Sequence, residues 1–154
     1  MENLDSSVWR LHRRIPSDTS IGSSLAVELI EAMARKGWPE DDRFRVRLAY
    51  EEAIVNAIRH GNQCSVEKTV DVRLECDGRR VRIEIADQGD GFDLATVPDP
   101  RREDLLEVPG GRGVLLIGEI MNEVRYSKSG NRITMIKTRS ETPPAASDRS
   151  NRER

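Results

Sequence analysis

Glu52, Asn56, Arg59 and His60 lie in the run Glu51-Glu52-Ala53-Ile54-Val55-Asn56-Ala57-Ile58-Arg59-His60-Gly61-Asn62, whose apolar residues recur at helical spacing. On a helix, positions i, i+4, i+7 and i+8 form one stripe. A carboxylate, an amide oxygen and a cation one turn apart suit a metal-bound polyphosphate. The amide oxygen of Asn56 is a ligand for magnesium, whose other positions phosphate oxygens and water would fill. The Glu52 carboxylate is placed to take a proton from an attacking hydroxyl. A charged stripe taken alone usually faces water, so the chemistry depends on two further segments. In Asp87-Gln88-Gly89-Asp90-Gly91-Phe92 a carboxylate ends an apolar strand and two glycines follow. Asp87 can accept a hydrogen bond from an exocyclic amine such as that of adenine, and Gly89 and Gly91 let a ligand pass close to the backbone. Gly111 and Gly113 precede an apolar helical stretch, where free N–H groups and the positive end of the dipole make a seat for phosphate. The P-loop pattern GxxxxGK[ST] is absent, and Gly111-Arg112-Gly113 lacks the third glycine of a dinucleotide fingerprint.

These residues need elements to hold them. Ser7 to Ile15 alternates and reads as a strand ended by Pro16; Ser17 to Ser20 then offers N-cap chemistry. Ile21, Leu25, Leu29 and Met33 predict an amphipathic helix to Lys36, closed by Gly37. A second helix is expected from about Pro39 to His60, with Glu40, Asp41 and Asp42 in its first turn and Phe44, Leu48, Val55 and Ile58 as its core face. Glu67 to Glu75 and Val81 to Ile85 alternate around Asp77-Gly78 and predict a hairpin. Leu94 to Pro109 has no clear period and reads as a long loop. Val114 to Met121 is a short buried helix, and Glu123 to Ser127 and Arg132 to Thr138 form a last strand pair. One domain is expected over residues 7–138, with a disordered tail over 139–154, where apolar residues are scarce. Trp9 and Trp38 read as packing residues.

The chain of 154 residues is 36% apolar and 34% charged, with a net charge of −2. That balance argues against a general nucleic-acid binder. No apolar run approaches the ~20 residues of a membrane span and no leader is evident, so a cytoplasmic protein is expected. Cys64 and Cys76 could pair, though nothing requires it. With His12 and His60 they lack the close paired spacings of a zinc site.

Taken together, Glu52 to Asn62 (EAIVNAIRHGN), Asp87 to Phe92 (DQGDGF) and Gly110 to Ile117 (GGRGVLLI) resemble the N box and the two glycine boxes of the GHKL ATPases. HGN after the N box and a GRG-bearing second box are similar to the RsbW-type anti-sigma-factor serine/threonine kinases. The resemblance spans roughly Val8 to Lys137. It implies an α/β (α+β) two-layer sandwich, the Bergerat fold, with helices on one face of a mixed, mostly antiparallel sheet. It implies Glu52 as general base and Asn56 as Mg2+ ligand. Arg59 or His60 would contact phosphate, Asp87, Gly89 and Gly91 would form the base pocket, and Gly111, Arg112 and Gly113 would form the phosphate-side turn of an ATP site. Residues from about 94 to 110 correspond to the ATP lid. Many relatives place Gly-Thr before the last strand; here Asn131 follows Gly130, and either Asn131, Thr134 or neither serves the adenine. The implied function is ATP-dependent phosphorylation of an anti-anti-sigma (STAS) protein by a homodimeric regulator that also binds a sigma factor. The alternative is an ATP-binding module that sequesters a partner with little kinase activity, and Glu52 favours catalysis.

Overall fold

The computed structural model describes residues 7–89 and 111–140. The elements run β1 (Trp9–Pro16), α1 (Thr19–Arg35), α2 (Glu40–Val55), a π-helical turn (Asn56–Gly61), β2 (Thr69–Cys76), β3 (Arg80–Ala86), α3 (Gly111–Ile120), β4 (Glu123–Tyr126) and β5 (Arg132–Thr138). The sheet order is β1-β2-β3-β5-β4. Every ladder is antiparallel among the described residues, so the expected mixture of strand directions is not seen there. The reason is topological: the β4–β5 hairpin inserts its second strand beside β3. The strand parallel to β3 is thereby displaced to the edge.

Alternation sets the layers. Leu11 and Ile15 of β1, Val70, Val72 and Leu74 of β2, Val81, Ile83 and Ile85 of β3, and Ile133 and Met135 of β5 are buried. Their neighbours carry charge on the opposite face, paired as Arg10–Glu75 at 3.4 Å, Arg82–Glu84 at 3.2 Å and Arg132–Glu84. The helices cover the apolar face and leave the charged face to water, the α+β two-layer arrangement expected. The hairpin turn is tied by the Asp77 carboxylate, which accepts from the N–H groups of Arg79 and Arg80 at 2.7 and 2.8 Å.

Asp18 caps α1 by accepting from the N–H groups of Ser20 (2.8 Å) and Ile21 (3.2 Å). Those bonds hold its carboxyl below the ordinary carboxylate value, the side-chain bond from Ser20 contributing most. Gly37, at φ +80°, takes the left-handed turn beyond the helix. α1 and α2 touch closely at Gly22: a Cβ there would lie 2.7 Å from Ile54 Cγ1. The buried Tyr50 hydroxyl donates to the Gly22 carbonyl at 2.6 Å.

The core face of α2 differs from the expectation. Buried positions are Asp42, Val46, Ala49, Tyr50, Ala53 and Ile54, with Ala57 and Ile58 following in the π turn. Phe44 is 60% exposed, and Leu48 and Val55 are only partly buried. Of the four predicted core residues, Ile58 alone is fully enclosed. The true seam mixes Ala49 and Ala53 with Val46, Tyr50 and Ile54, because α2 is packed between α1 and α3 and over the sheet: the alanines permit close approach and the larger side chains fill the space beside them. Asp42 also exceeds its expected role in a helix first turn. It is 2% exposed and accepts from the N–H (2.9 Å) and hydroxyl (2.7 Å) of Ser140. Arg139 donates to the carbonyls of Gly37 (2.6 Å) and Gly78 (3.1 Å). The first two residues of the expected tail are thus tied to the domain; the rest lies outside the described residues. Trp38 is buried, with its indole N–H on the Asp77 carbonyl at 2.7 Å, and Trp9 packs against the core. Cys64 and Cys76 are both free thiols, exposed and buried respectively.

Candidate functional site

A cavity of about 240 Å³ opens between the end of α2, the start of α3 and the sheet. Its apolar walls are Ala53, Ala57, Ile85, Val114, Ile117 and Ile133, and Asn56, His60, Asp87, Tyr126 and Asn131 supply its polar groups. Narrow apolar walls with a few convergent polar groups suit a planar heterocycle.

The π turn determines which members of the predicted stripe reach the cavity. Bonds from i to i+5 put more residues into a turn than an α-helix does, and the stripe rotates after Asn56. His60 and Gly61 come onto the cavity beside Asn56. Arg59 is exposed and off the lining. Glu52 sits one turn before Asn56, half-buried and outside the lining. It carries no hydrogen bond or ion pair among the described residues. The turn is closed by the N–H of Asn62 on the Ala57 carbonyl and that of Cys64 on the Ile58 carbonyl, both 2.8 Å. The left-handed φ values of Gln63 (54°) and Cys64 (57°) then redirect the chain.

Asp87 follows β3 and faces the cavity. Its carboxylate accepts from the Gly89 N–H at 2.8 Å, and its own N–H donates to the Asn131 carbonyl at 2.9 Å. Burial raises its pKa above the ordinary 3.8, and the Gly89 N–H and the Lys68 charge oppose that rise. Two glycines allow the carboxylate to sit there. A Cβ on Gly61 would overlap the Asp87 carboxylate, and one on Gly89 would overlap the Gly61 carbonyl oxygen. Gly61 therefore does more than break a helix.

Asn62, read from sequence only as part of a subtype pattern, is fully buried and holds the site together. Its Oδ1 accepts from the Gln88 N–H at 2.7 Å; its Nδ2 donates to Ser17 Oγ and the Thr69 carbonyl, both at 3.0 Å. The Gln88 side chain in turn accepts from the Thr69 N–H at 2.7 Å. Its place in the HGN pattern was the available signal. Tyr126 was also missed: it lines the cavity from β4, and burial pushes its hydroxyl up to about 12, so it stays neutral at physiological pH. Asn131 lines the cavity, whereas Thr134 pairs with Arg125 and Glu84 on the outward side of the sheet. Of the two, Asn131 is the one at the site.

Gly111, Arg112 and Gly113 do not precede α3 but form its first turn, so the unpaired N–H groups of a helix start belong to these residues. Val114 and Ile117 follow on its cavity side. Gly91 and the expected lid lie outside the described residues. No group of three or more metal-ligating side chains occurs among the described residues.

This two-layer fold, with a carboxylate-floored cavity at a glycine-rich helix start, defines an ATP-binding domain of the histidine-kinase type. A profile of the family described as histidine kinase-like ATPase domain matches residues 18–137. Curated relatives from several bacteria carry the name serine-protein kinase RsbW. That of Staphylococcus epidermidis is 32% identical over 136 residues, 82% of this chain and 85% of its own. That of Bacillus velezensis is 28% identical over 145 residues, 87% and 88% of the two chains. That of Staphylococcus aureus is 30% identical over 136 residues, 82% and 85%. The crystal structure of the RsbU and RsbW domains of a Mycobacterium tuberculosis protein is similar in fold, with a TM-score of 0.52 at 20% identity. It is matched over 85% of this chain and 32% of that one. The chain belongs to the histidine kinase-like ATPase family, in its RsbW-type branch of serine-protein kinases. ATP is therefore its nucleotide and phosphoryl transfer to a protein serine its class of reaction.

Proposed function

We propose that the cavity receives the adenine of ATP and that Glu52 and Asn56 serve transfer of its γ-phosphoryl group to an anti-anti-sigma (STAS) protein. The observation that carries this is the Asp87 carboxylate, which the side-chain-free Gly61 and Gly89 allow into an apolar slot that Asn56 also lines. A buried acceptor with one N–H already bound suits an exocyclic amine, and Ile85, Ile117 and Ile133 suit the faces of a purine ring. Tyr126 and Asn131 border the same slot. Gly111, Arg112 and Gly113 offer first-turn N–H groups to phosphate, and His60 lies on the cavity where Arg59 does not. Gly91 belongs to the same base-pocket proposal through the family resemblance.

Magnesium fits a site that presents one protein oxygen, since it retains water and phosphate ligands and needs no all-protein cage. Asn56 would hold it, and the ion would supply charge neutralisation at the phosphates. Glu52, with no partner among the described residues, is free to receive a proton. The serine hydroxyl oxygen bonds to the γ-phosphorus as its proton passes to Glu52. The bond between that phosphorus and the bridging oxygen breaks, and its electron pair leaves with ADP. Through the same resemblance, the protein acts in the cytoplasm as a homodimer that binds a sigma factor until the STAS protein competes. No described helix is long and apolar enough to cross a membrane.

The test is labelled ATP with an anti-anti-sigma (STAS) protein of the same organism. Wild type labels it, Glu52→Ala binds ATP without labelling, and Asn56→Ala loses magnesium-dependent ATP binding. Equal transfer by Glu52→Ala and wild type would remove Glu52 as the base.

A further inference from the structure

The turn between β4 and β5 fixes the orientation of one side chain at the cavity. It is closed by the Ser127 N–H on the Arg132 carbonyl and the Gly130 N–H on the Ser127 carbonyl, both at 2.9 Å. Gly130, at φ +80°, takes its left-handed position. Asn131 follows and lines the cavity. Its main-chain carbonyl accepts from the Asp87 N–H at 2.9 Å, which joins the turn to the loop after β3. Its side-chain amide bridges the same two segments.

An amide has one accepting and one donating end, and its partners decide which way round it sits. Asn131 Oδ1 accepts from the hydroxyls of Ser129 at 2.8 Å and Ser127 at 3.3 Å. Ser127 Oγ itself accepts from the Arg132 N–H at 3.2 Å, so its proton is directed to Asn131. Nδ2 faces the Gly89 carbonyl at 3.5 Å, an oxygen that can only accept. The reverse orientation would set two oxygens against each other. The NH2 group therefore points to the Asp87–Gly89 loop, and it carries a second N–H besides the one toward Gly89. In that loop the Gly89 N–H donates to the Asp87 carboxylate at 2.8 Å. One end of the cavity thus presents an acceptor, Asp87, beside a donor, Asn131. The exocyclic amine of adenine offers the complement, because it is flanked by unprotonated ring nitrogens, N1 on one side and N7 on the other. We propose that Asn131 is a second base-reading residue: Nδ2 donates to a ring nitrogen beside the amine that Asp87 accepts, and Ser127 and Ser129 hold it in that orientation. This rests on adenine occupying the cavity. It adds a selectivity that the carboxylate alone does not supply, since an amine with no acceptor beside it leaves the Asn131 N–H unmatched.

The experiment is calorimetry of the full chain with magnesium and ATP, 1-deaza-ATP or 7-deaza-ATP. Each analogue keeps the amine and lacks one flanking nitrogen. Wild type binds one of the two about fivefold to tenfold more weakly than ATP. Asn131→Ala binds ATP more weakly by the same factor, and binds that analogue as wild type does. The double variant Ser127→Ala/Ser129→Ala, which frees the amide to turn, loses about threefold for ATP and nothing for that analogue. If Asn131→Ala costs nothing, or costs the same for ATP and both analogues, the proposal is overturned; equal costs would assign the side chain to holding the loop alone. Failure of the adenine reading looks different. Wild type that binds no ATP removes that reading and the proposal with it, whereas ATP binding with equal costs overturns Asn131 alone.

Discussion

Replacing Asn62 by alanine removes the one side chain that ties the end of the π turn to the Asp87 loop and to the start of β2. Three hydrogen bonds are lost: Gln88 N–H to Oδ1 at 2.7 Å, and Nδ2 to Ser17 Oγ and to the Thr69 carbonyl at 3.0 Å. At about 1 kcal/mol net for each, the loss is about 3 kcal/mol, because the site is fully enclosed and water cannot readily replace the missing partner. That is a large share of the roughly 5–15 kcal/mol that stabilises a domain of ordinary size. Urea unfolding followed by circular dichroism checks it. With a slope of about 2 kcal/mol per M, the midpoint falls by about 1.5 M and the slope stays constant. Asn62→Asp is a second arm: it keeps an acceptor for Gln88 but turns a carboxylate toward the Thr69 carbonyl, and it destabilises at least as much. ATP affinity falls in both variants, since Gln88 no longer anchors the backbone beside Asp87. A midpoint shift below about 0.3 M for Asn62→Ala would falsify the view that these bonds hold the site.

The pH dependence of ATP binding follows from Asp87, whose folded pKa is raised by burial. An acid raised in the folded state disfavours its own ionisation, so the unliganded protein loses stability as pH climbs from 3.8 through the raised value. If the ionised carboxylate accepts from adenine, ATP affinity weakens about tenfold per pH unit below that value, and calorimetry shows proton release on binding. A flat affinity profile through the acidic range counts against Asp87 as the acceptor. Gly89→Ala brings a Cβ against the Gly61 carbonyl, a backbone atom with no room to yield. It destabilises by about 2 kcal/mol or more and abolishes measurable ATP binding, whereas unchanged calorimetry contradicts the close approach. Asp42→Ala releases Ser140, costing about 2 kcal/mol in thermal or urea unfolding while leaving ATP affinity intact, because the clasp joins the opposite ends of α2 and β5.

The legible parts of the molecule were those governed by short-range rules. The Asp18 cap and the left-handed Gly37 delimit α1 within a residue or two of the expected bounds. Period-two alternation located β2 and β3 and identified their buried faces, and β5 was expected as half of a last strand pair. Asn56 and His60 from one segment and Asp87 from another do line one cavity. The π turn was not legible, because the bond shift from i+4 to i+5 leaves composition unchanged while rotating Arg59 off the cavity. The choice between Asn131 and Thr134 needed the pairing of β5 with β3 and β4, which decides which residues point outward.

By itself the sequence determined the element order, the caps and turns, and three motif segments whose chemistry points to a nucleotide. Each depends on residues within a turn or a hairpin of one another. Tertiary structure alone decided which face of α2 is inside. Helix periodicity ranks Phe44, Leu48 and Val55 above Ala49, Ala53 and Ala57 as core, because larger apolar side chains gain more from burial. Packing against two helices and the sheet selects a different face, on which Val46, Tyr50 and Ile54 are enclosed beside Ala49 and Ala53. Phe44 is left exposed, while Leu48 and Val55 stay partly buried against the edge of the core.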